Sequence, residues 1–251
     1  MFSYTDSRGR IDVAFTDRHG GSSGGPFASL NLAVNGSEDA ALVRRNLATV
    51  ARAFRGLTPG QEYGDPSRIA LMRQVHGADV HVVTGDVPDD TTGPPTADAL
   101  VTAVPDVVLL VRVADCVPVL LADAERGVVG AAHAGRPGMV AGVVPAAVAR
   151  MRELGAERIT AWVGPHVCGR CYEVPEAMRT EVAALVPASF AETSWGTPAL
   201  DVGAGVRAQL VAAGVDVVDA SRCTIEHDDL YSYRRQGVDS GRLGGLVRVR
   251  P

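Results

Sequence analysis

The sequence predicts a mixed α/β (α+β) fold in a single domain spanning residues 1–251. Short apolar runs of strand character alternate with segments of helical spacing, and no linker, repeat or low-complexity tract divides them. With 46% hydrophobic and 21% charged residues, the chain is too apolar for disorder and long enough to bury its own core.

The first strand, Ile11–Thr16, alternates apolar and polar residues and runs into a glycine-rich loop at 20–25. Residues 37–54 have helical spacing, with Ser37 as the expected cap and Glu38 and Asp39 in the first turn. Strand-like runs follow at 69–75, 80–84 and 97–102, the last two separated by a Pro- and Asp-rich turn at 87–95. Three more apolar runs, 107–113, 117–122 and 127–132, are too short for helices and read as buried strands. A helix over 139–154 and a strand over 159–163 come next. Helices over 175–185 and 202–213 follow, and strands 215–218 and 246–249 complete the order.

Composition excludes several functions. The net charge of −5 speaks against a nucleic-acid partner, which needs a basic face. All 24 basic residues are Arg, so no lysine nucleophile, Schiff base or Walker-A lysine exists. No stretch is apolar enough for a membrane span, and the opening residues lack a signal-peptide core. Four cysteines in a chain of this length read as reduced thiols in a cytoplasmic protein.

The chemistry concentrates where strand-like runs end. His76 follows Arg73-Gln74-Val75, Cys116 sits in Ala114-Asp115-Cys116-Val117-Pro118, and His133 ends Val129-Gly130-Ala131-Ala132-His133. Two imidazoles and a thiolate make a zinc donor set with a fourth position open for water or substrate. Such an ion lowers the pKa of bound water toward ~7 and polarises a leaving group. Taken singly, each residue has a plainer reading: a small core cysteine, or a histidine satisfied at a strand end. Cys168-Gly169-Arg170-Cys171 is a C-x-x-C without a second copy, and with His166 it would reach only three ligands; it reads as loop thiols near a pocket wall. His19, His81 and His227 read as surface residues.

The strings Gln74-Val75-His76-Gly77, Ala114-Asp115-Cys116-Val117-Pro118 and Ala131-Ala132-His133-Ala134-Gly135 resemble the bacterial YfiH-like, or multicopper polyphenol oxidase (laccase), family. Matches continue through Phe15-Thr16-Asp17-Arg18, Ala97-Asp98-Ala99-Leu100, Cys171-Tyr172-Glu173-Val174 and Tyr231-Ser232-Tyr233-Arg234-Arg235. The resemblance implies an α/β/β/α sandwich with His76, Cys116 and His133 as zinc ligands. It also implies zinc-dependent phosphorolysis of purine nucleosides (adenosine, inosine and methylthioadenosine) with adenosine deaminase activity besides. The small-molecule partners would then be a nucleoside and phosphate. One departure stands out: the family's His-Ala-Gly-Trp-Arg-Gly is His133-Ala134-Gly135-Arg136-Pro137-Gly138 here, which bears on substrate preference.

Without lysine, phosphate must be held by arginine or backbone amides. Arg18 beside the 20–25 loop is the first candidate, followed by Arg73, Arg136, Arg234 and Arg235. Asp115, next to a ligand, is expected to orient a ligating histidine or relay a proton, and Cys116 to act with it in catalysis. Two rival chemistries use the same residues. A metal-free cysteine hydrolase or deamidase of the peptidoglycan-editing type would use Cys116 as nucleophile and His133 as base. A copper-binding polyphenol oxidase would exploit the His₂Cys set, and copper would also compete for the zinc site. A trinuclear copper cluster, however, needs more imidazoles than His19, His81 and His227 supply. The known zinc deaminases carry an H-x-E and P-C-x-x-C pairing that this chain lacks. Nothing in the sequence sets an oligomeric state.

Overall fold

Two β-sheets face each other and a helical layer covers each outer face. A computed structural model describes residues 1–34, 36–56, 68–85, 87 and 93–251. In chain order the elements are β1 (Phe2–Arg8), β2 (Ile11–Thr16), α1 (Ala40–Phe54), β3 (Ile69–Ala70), β4 (Val80–Val82), β5 (Ala99–Thr102), β6 (Val108–Val113), β7 (Val117–Asp123) and β8 (Val128–Ala134). Then come α2 (Arg136–Ala141), α3 (Val143–Glu153), β9 (Thr160–Val163), α4 (Glu176–Leu185), β10 (Phe190–Glu192), β11 (Pro198–Leu200), α5 (Val202–Ala212), β12 (Asp216–Asp219), α6 (Tyr233–Gln236) and β13 (Leu243–Val249). One sheet has the order β1-β2-β13-β6-β3 and the other β12-β9-β7-β8-β5-β4; β10 and β11 form a separate hairpin.

Side-chain alternation assigns each strand's two faces to different cores. In β6, Leu109, Val111 and Val113 point between the sheets, while Val108 and Leu110 pack toward α1. In β7, Leu120 and Ala122 share the inter-sheet core, while Val117, Val119 and Leu121 meet Val143, Ala147 and Met151 of α3 and Val206 and Leu210 of α5. Both faces of these strands are therefore buried, which is why they read as continuous apolar runs. The result is the expected α/β/β/α layering.

Several boundaries differ from the sequence reading, each for a local reason. The first helix starts at Ala40, because Asp39 rather than Ser37 accepts the Ala41 N–H at 2.8 Å. The predicted helix 139–154 is two helices, since Gly142 at φ +83° ends α2 in a left-handed cap. The run 69–75 forms a strand only at Ile69–Ala70; beyond it the chain bends toward a turn at His76, where φ is +63°. Strand β1 escaped prediction because its sequence FSYTDSR is mostly polar and pairs along the sheet edge with β2. Most of the predicted turn at 87–95 falls outside the described residues.

Asp123 joins the end of β7 to the approach to β9. Its Oδ1 accepts the N–H groups of Glu125 and Arg126, each at 3.0 Å, and its Oδ2 those of Glu157 and Arg158 at 2.7 and 2.8 Å. Burial alone would raise the Asp123 carboxyl, but these four donors outweigh it and hold it below the ordinary value. Asp123→Ala is expected to destabilise the fold by about 3 kcal/mol in urea denaturation, as charged hydrogen bonds are lost and donors are left buried. A depressed carboxyl stabilises the fold above its unfolded-state pKa and loses that contribution as the pH falls, so the gap between wild type and variant should narrow in acid.

Candidate metal and substrate site

The site begins with one carboxylate. Asp98, fully buried just before β5, accepts the backbone N–H of Val75 at 3.1 Å, of His76 at 3.0 Å and of Gly77 at 2.7 Å. The same side chain holds His133 Nδ1 at 2.8 Å. Asp98 thus pins the left-handed turn carrying His76 and orients the imidazole that projects from β8. With Nδ1 engaged on a carboxylate, the Nε2 of His133 is left as the ligating atom. Burial is the largest influence on Asp98 and would raise it; the His133 hydrogen bond and the turn's N–H groups prevail and hold its carboxyl below the ordinary value.

Cys116 lies at the start of the β7 hairpin, directly after Asp115, whose φ is +85°. Its Sγ lies 3.7 Å from His76 Nε2, and the rings of His76 and His133 meet edge to face at 4.8 Å between centroids. One donor atom from each of His76, Cys116 and His133 lies within 4.8 Å of the others. Gly135 makes that convergence possible: a Cβ there would sit 2.5 Å from the His76 ring and 3.0 Å from the Cys116 sulfur. The donor set of two imidazoles and a thiol suits zinc, or copper, with a position left for substrate. Burial, against the pull of the Asp98 hydrogen bond, lowers His133, keeping it neutral and able to ligate. Burial, reinforced by Asp115, pushes the metal-free Cys116 thiol up to about 12.

These three residues lie in the wall of a cavity of about 570 Å³. Four arginines also line it: Arg112 from β6, Arg136 from the first turn of α2, Arg234 from α6, and Arg242 just before β13. Arg112 is buried and donates to the Met72 carbonyl at 2.6 Å; desolvation, with Arg242 alongside, draws it down to about 10. Arg242 donates to the Ser240 carbonyl at 2.7 Å. Among the described residues, neither Arg112 nor Arg242 has an ion-pair partner, and the Arg136 guanidinium makes no hydrogen bond or ion pair. Pro137 occupies the first turn of α2, where its missing N–H costs nothing, so Arg136 enters the cavity wall from a helix start.

The remaining sequence candidates sit differently. Arg18 does not reach the cavity: it donates to the carbonyls of Ala28 at 2.7 Å and Pro26 at 3.3 Å and lies over the Tyr231 ring. In the 20–25 loop the N–H groups of Gly20 and Gly21 donate to Ser29 Oγ, that of Ser22 to Asn46 Oδ1 and that of Ser23 to the Ser29 carbonyl, and none of the loop's residues is among those lining the cavity. Arg73, on the surface, is held by Thr96 Oγ1. Arg234 lines the cavity while donating to the Glu173 carbonyl at 2.8 Å and stacking on Tyr172. Arg235 is turned away, toward the carbonyls of Thr224, Ile225 and His227. Asp115 touches neither histidine. Its oxygens accept from Thr224 Oγ1 at 2.5 Å and the Arg234 N–H at 2.7 Å, which makes it an anchor for the loop beside Cys116. Orientation of the histidine falls to Asp98, which sequence reasoning left unassigned. Of the three supposed surface histidines, His19 is exposed and His81 and His227 are half-buried.

Residues 12–250 match the family described as multi-copper polyphenol oxidoreductase laccase. A purine nucleoside phosphorylase of Streptomyces coelicolor is 52% identical over 98% of this chain and 99% of its own. Adenosine deaminase RL5, from an unknown prokaryotic organism, is 34% identical over 76% of this chain and 80% of its own. The crystal structure of YlmD from Geobacillus stearothermophilus superposes with a TM-score of 0.84 at 32% identity, covering 96% of this chain and 93% of that one. The chain belongs to the multi-copper polyphenol oxidoreductase laccase family, and it is an enzyme.

Two outcomes follow from the Asp98 arrangement. Asp98→Asn should weaken zinc binding about 10- to 100-fold in a chelator competition titration, as loss of a ligand-orienting carboxylate does; unchanged affinity would contradict the role given to Asp98. In metal-free protein, the unfolded chain protonates His133 before the folded one does. Stability should therefore fall as the pH drops below about 6.5. His133→Asn should shrink the difference between urea midpoints measured at neutral and mildly acidic pH.

Proposed function

We propose that this chain cleaves purine nucleosides by phosphorolysis, with zinc held by His76, Cys116 and His133. The observation that carries the reading is the pairing of features in one cavity: a three-donor metal cluster and two arginines, Arg112 and Arg242, that lack an ion-pair partner among the described residues. The buried Arg112 and half-buried Arg242 guanidinium groups repel each other, and a bound dianion relieves that repulsion. The names of the relatives, a purine nucleoside phosphorylase and an adenosine deaminase, supply the substrate class.

In the reaction, the bond from the purine nitrogen to ribose C1′ breaks and its electron pair leaves with the base. A phosphate oxygen bonds to C1′, giving ribose 1-phosphate, and the base takes up a proton. Arg112 and Arg242 hold the phosphate and neutralise its charge. Arg136, free of other partners, contacts the nucleoside or the phosphate from the α2 side. Phe27, Tyr172 and Tyr233 give the cavity aromatic walls suited to a purine. Zinc, when bound, supplies Lewis acidity toward a substrate oxygen or nitrogen. Deamination of adenosine, in which water replaces the C6 amino group and ammonia leaves, fits the same cavity as a side activity.

A metal-free cysteine hydrolase fits less well. The imidazole within hydrogen-bonding distance of Cys116 is that of His76, at 3.7 Å, and the raised thiol is the opposite of the thiolate such a nucleophile needs.

Phosphate-free buffer should abolish cleavage of adenosine and inosine; undiminished cleavage would identify a hydrolase. Arg242→Gln should raise the KM for phosphate about 10- to 100-fold, the range expected from losing charged hydrogen bonds. Cys116→Ala should lose the cavity's one equivalent of zinc and turnover together while keeping its circular dichroism spectrum. Elemental analysis that finds copper in the active protein would replace zinc with a copper reading, and alkylation-sensitive, chelator-resistant activity would support the cysteine hydrolase.

A further inference from the structure

We infer that Cys168, Cys171, Cys223 and Glu226 form a second, structural zinc site, separate from the substrate cavity. One ligand atom from each of the four lies within 4.8 Å of the others, and Cys171 Sγ approaches Glu226 Oε1 at 3.5 Å. Tetrahedral zinc with sulfur at about 2.3 Å places its ligand atoms about 3.8 Å apart, so only a small contraction is needed to close around an ion.

Cys168-x-x-Cys171 is a turn in which the Cys171 and Tyr172 N–H groups both donate to the Cys168 carbonyl at 3.0 Å. Cys223-x-x-Glu226 repeats the two-residue spacing from a second turn, with glutamate in place of the last cysteine. The two turns are locked side by side by a parallel bridge between His166 and Cys223, with the Thr224 N–H donating to the His166 carbonyl at 3.0 Å. Gly169 lets the first turn lie against the start of α5, since a Cβ there would come within 2.7 Å of Asp201. Cys171 and Cys223 are buried, Cys168 is half-buried and Glu226 faces solvent, so the ion has an entry path.

Sequence reasoning paired the C-x-x-C with His166 and counted three ligands. In the fold His166 Nδ1 is instead 2.8 Å from the Gly164 carbonyl, and its ring lies against Gly203. The missing donors come from more than fifty residues downstream.

On binding, each thiol releases its proton to solvent, and the three thiolates, one carboxylate and Zn²⁺ carry a net charge of −2. Two cations stand ready for it: Arg170 lies 3.4 Å from Glu226, and Arg235 caps the carbonyls of the second turn. With four protein ligands the site is closed and structural. It clips the loop carrying Tyr172 to the loop carrying Thr224, the residue that anchors Asp115 beside Cys116.

The test uses the full-length Cys116→Ala variant, in which the cavity cluster lacks its sulfur. Loaded with Co²⁺ in place of zinc, it should bind one equivalent and show the strong near-ultraviolet thiolate-to-cobalt band. Cys116→Ala/Cys168→Ser should lose both the equivalent and the band, and the milder Cys116→Ala/Glu226→Gln should weaken binding at least tenfold while keeping the fold. Zinc should protect three thiols of Cys116→Ala from alkylation, and chelation should lower its Tm. A Cys116→Ala protein that binds no cobalt, or a disulfide among the three cysteines in unreduced protein from the cytoplasm, would overturn the inference. Phosphorolysis assayed separately on wild type decides the cavity reading, so either conclusion can fail alone.

Discussion

The cavity depends on the Asp98 carboxylate. A buried charge is tolerated only when its lone pairs are filled, and Asp98 has four donors: three consecutive N–H groups of the turn at 75–77 and one imidazole nitrogen. That arrangement couples two of the clustered donors across one half of the six-stranded sheet. His76 precedes the edge strand β4, while His133 belongs to β8 near the middle, and β5, which Asp98 introduces, runs between them. The third donor, Cys116, directly precedes β7, the other neighbour of β8, so the cluster forms at one end of the four neighbouring strands β7, β8, β5 and β4.

Backbone strain is concentrated around the same point. Among the described residues, three that are not glycine have φ in the left-handed region, and two of them are His76 and Asp115. Such conformations cost of order 1–3 kcal/mol each and persist only where surrounding bonds over-determine them. His76 is over-determined by Asp98. Asp115 is held by Thr224 and Arg234 through its side chain and by the Val167 N–H on its carbonyl at 3.0 Å. The strain aims the His76 ring and the Cys116 sulfur at each other across the space that Gly135 leaves open.

The strands and the three clustered donors were legible because each leaves a local mark. Fully buried strands appear as unbroken apolar runs, and a histidine or cysteine at the end of such a run, among small residues, signals room beside it. What escaped was whatever acts across the chain. Asp98 sits in Ala97-Asp98-Ala99, and its only signal is a charge entering a strand that is buried on both sides. Arg112 is likewise the single charge within β6, and its meaning depends on β13 bringing Arg242 next to it. Arg18 stands beside a glycine-rich loop, the sequence mark of an anion site, but its guanidinium is held by the Ala28 and Pro26 carbonyls away from the cavity, a long-range fact no local pattern shows.

The two cysteine-containing clusters show how one donor type serves opposite ends when its surroundings differ. At Cys116 the protein provides three donors and a cavity about 570 Å³ in volume, so a bound ion keeps a face toward substrate. At Cys168, Cys171 and Cys223 a carboxylate completes the set and two turns close around it, leaving no face for chemistry. Both lie on the same structural path, because Thr224 stands next to Cys223 in the chain and donates to Asp115, the neighbour of Cys116. A rigid clip at one end of that path therefore stiffens the strained loop at the other. A loop held in a left-handed conformation benefits most from being anchored at a distance from the reacting atoms, where stiffness does not obstruct substrate entry.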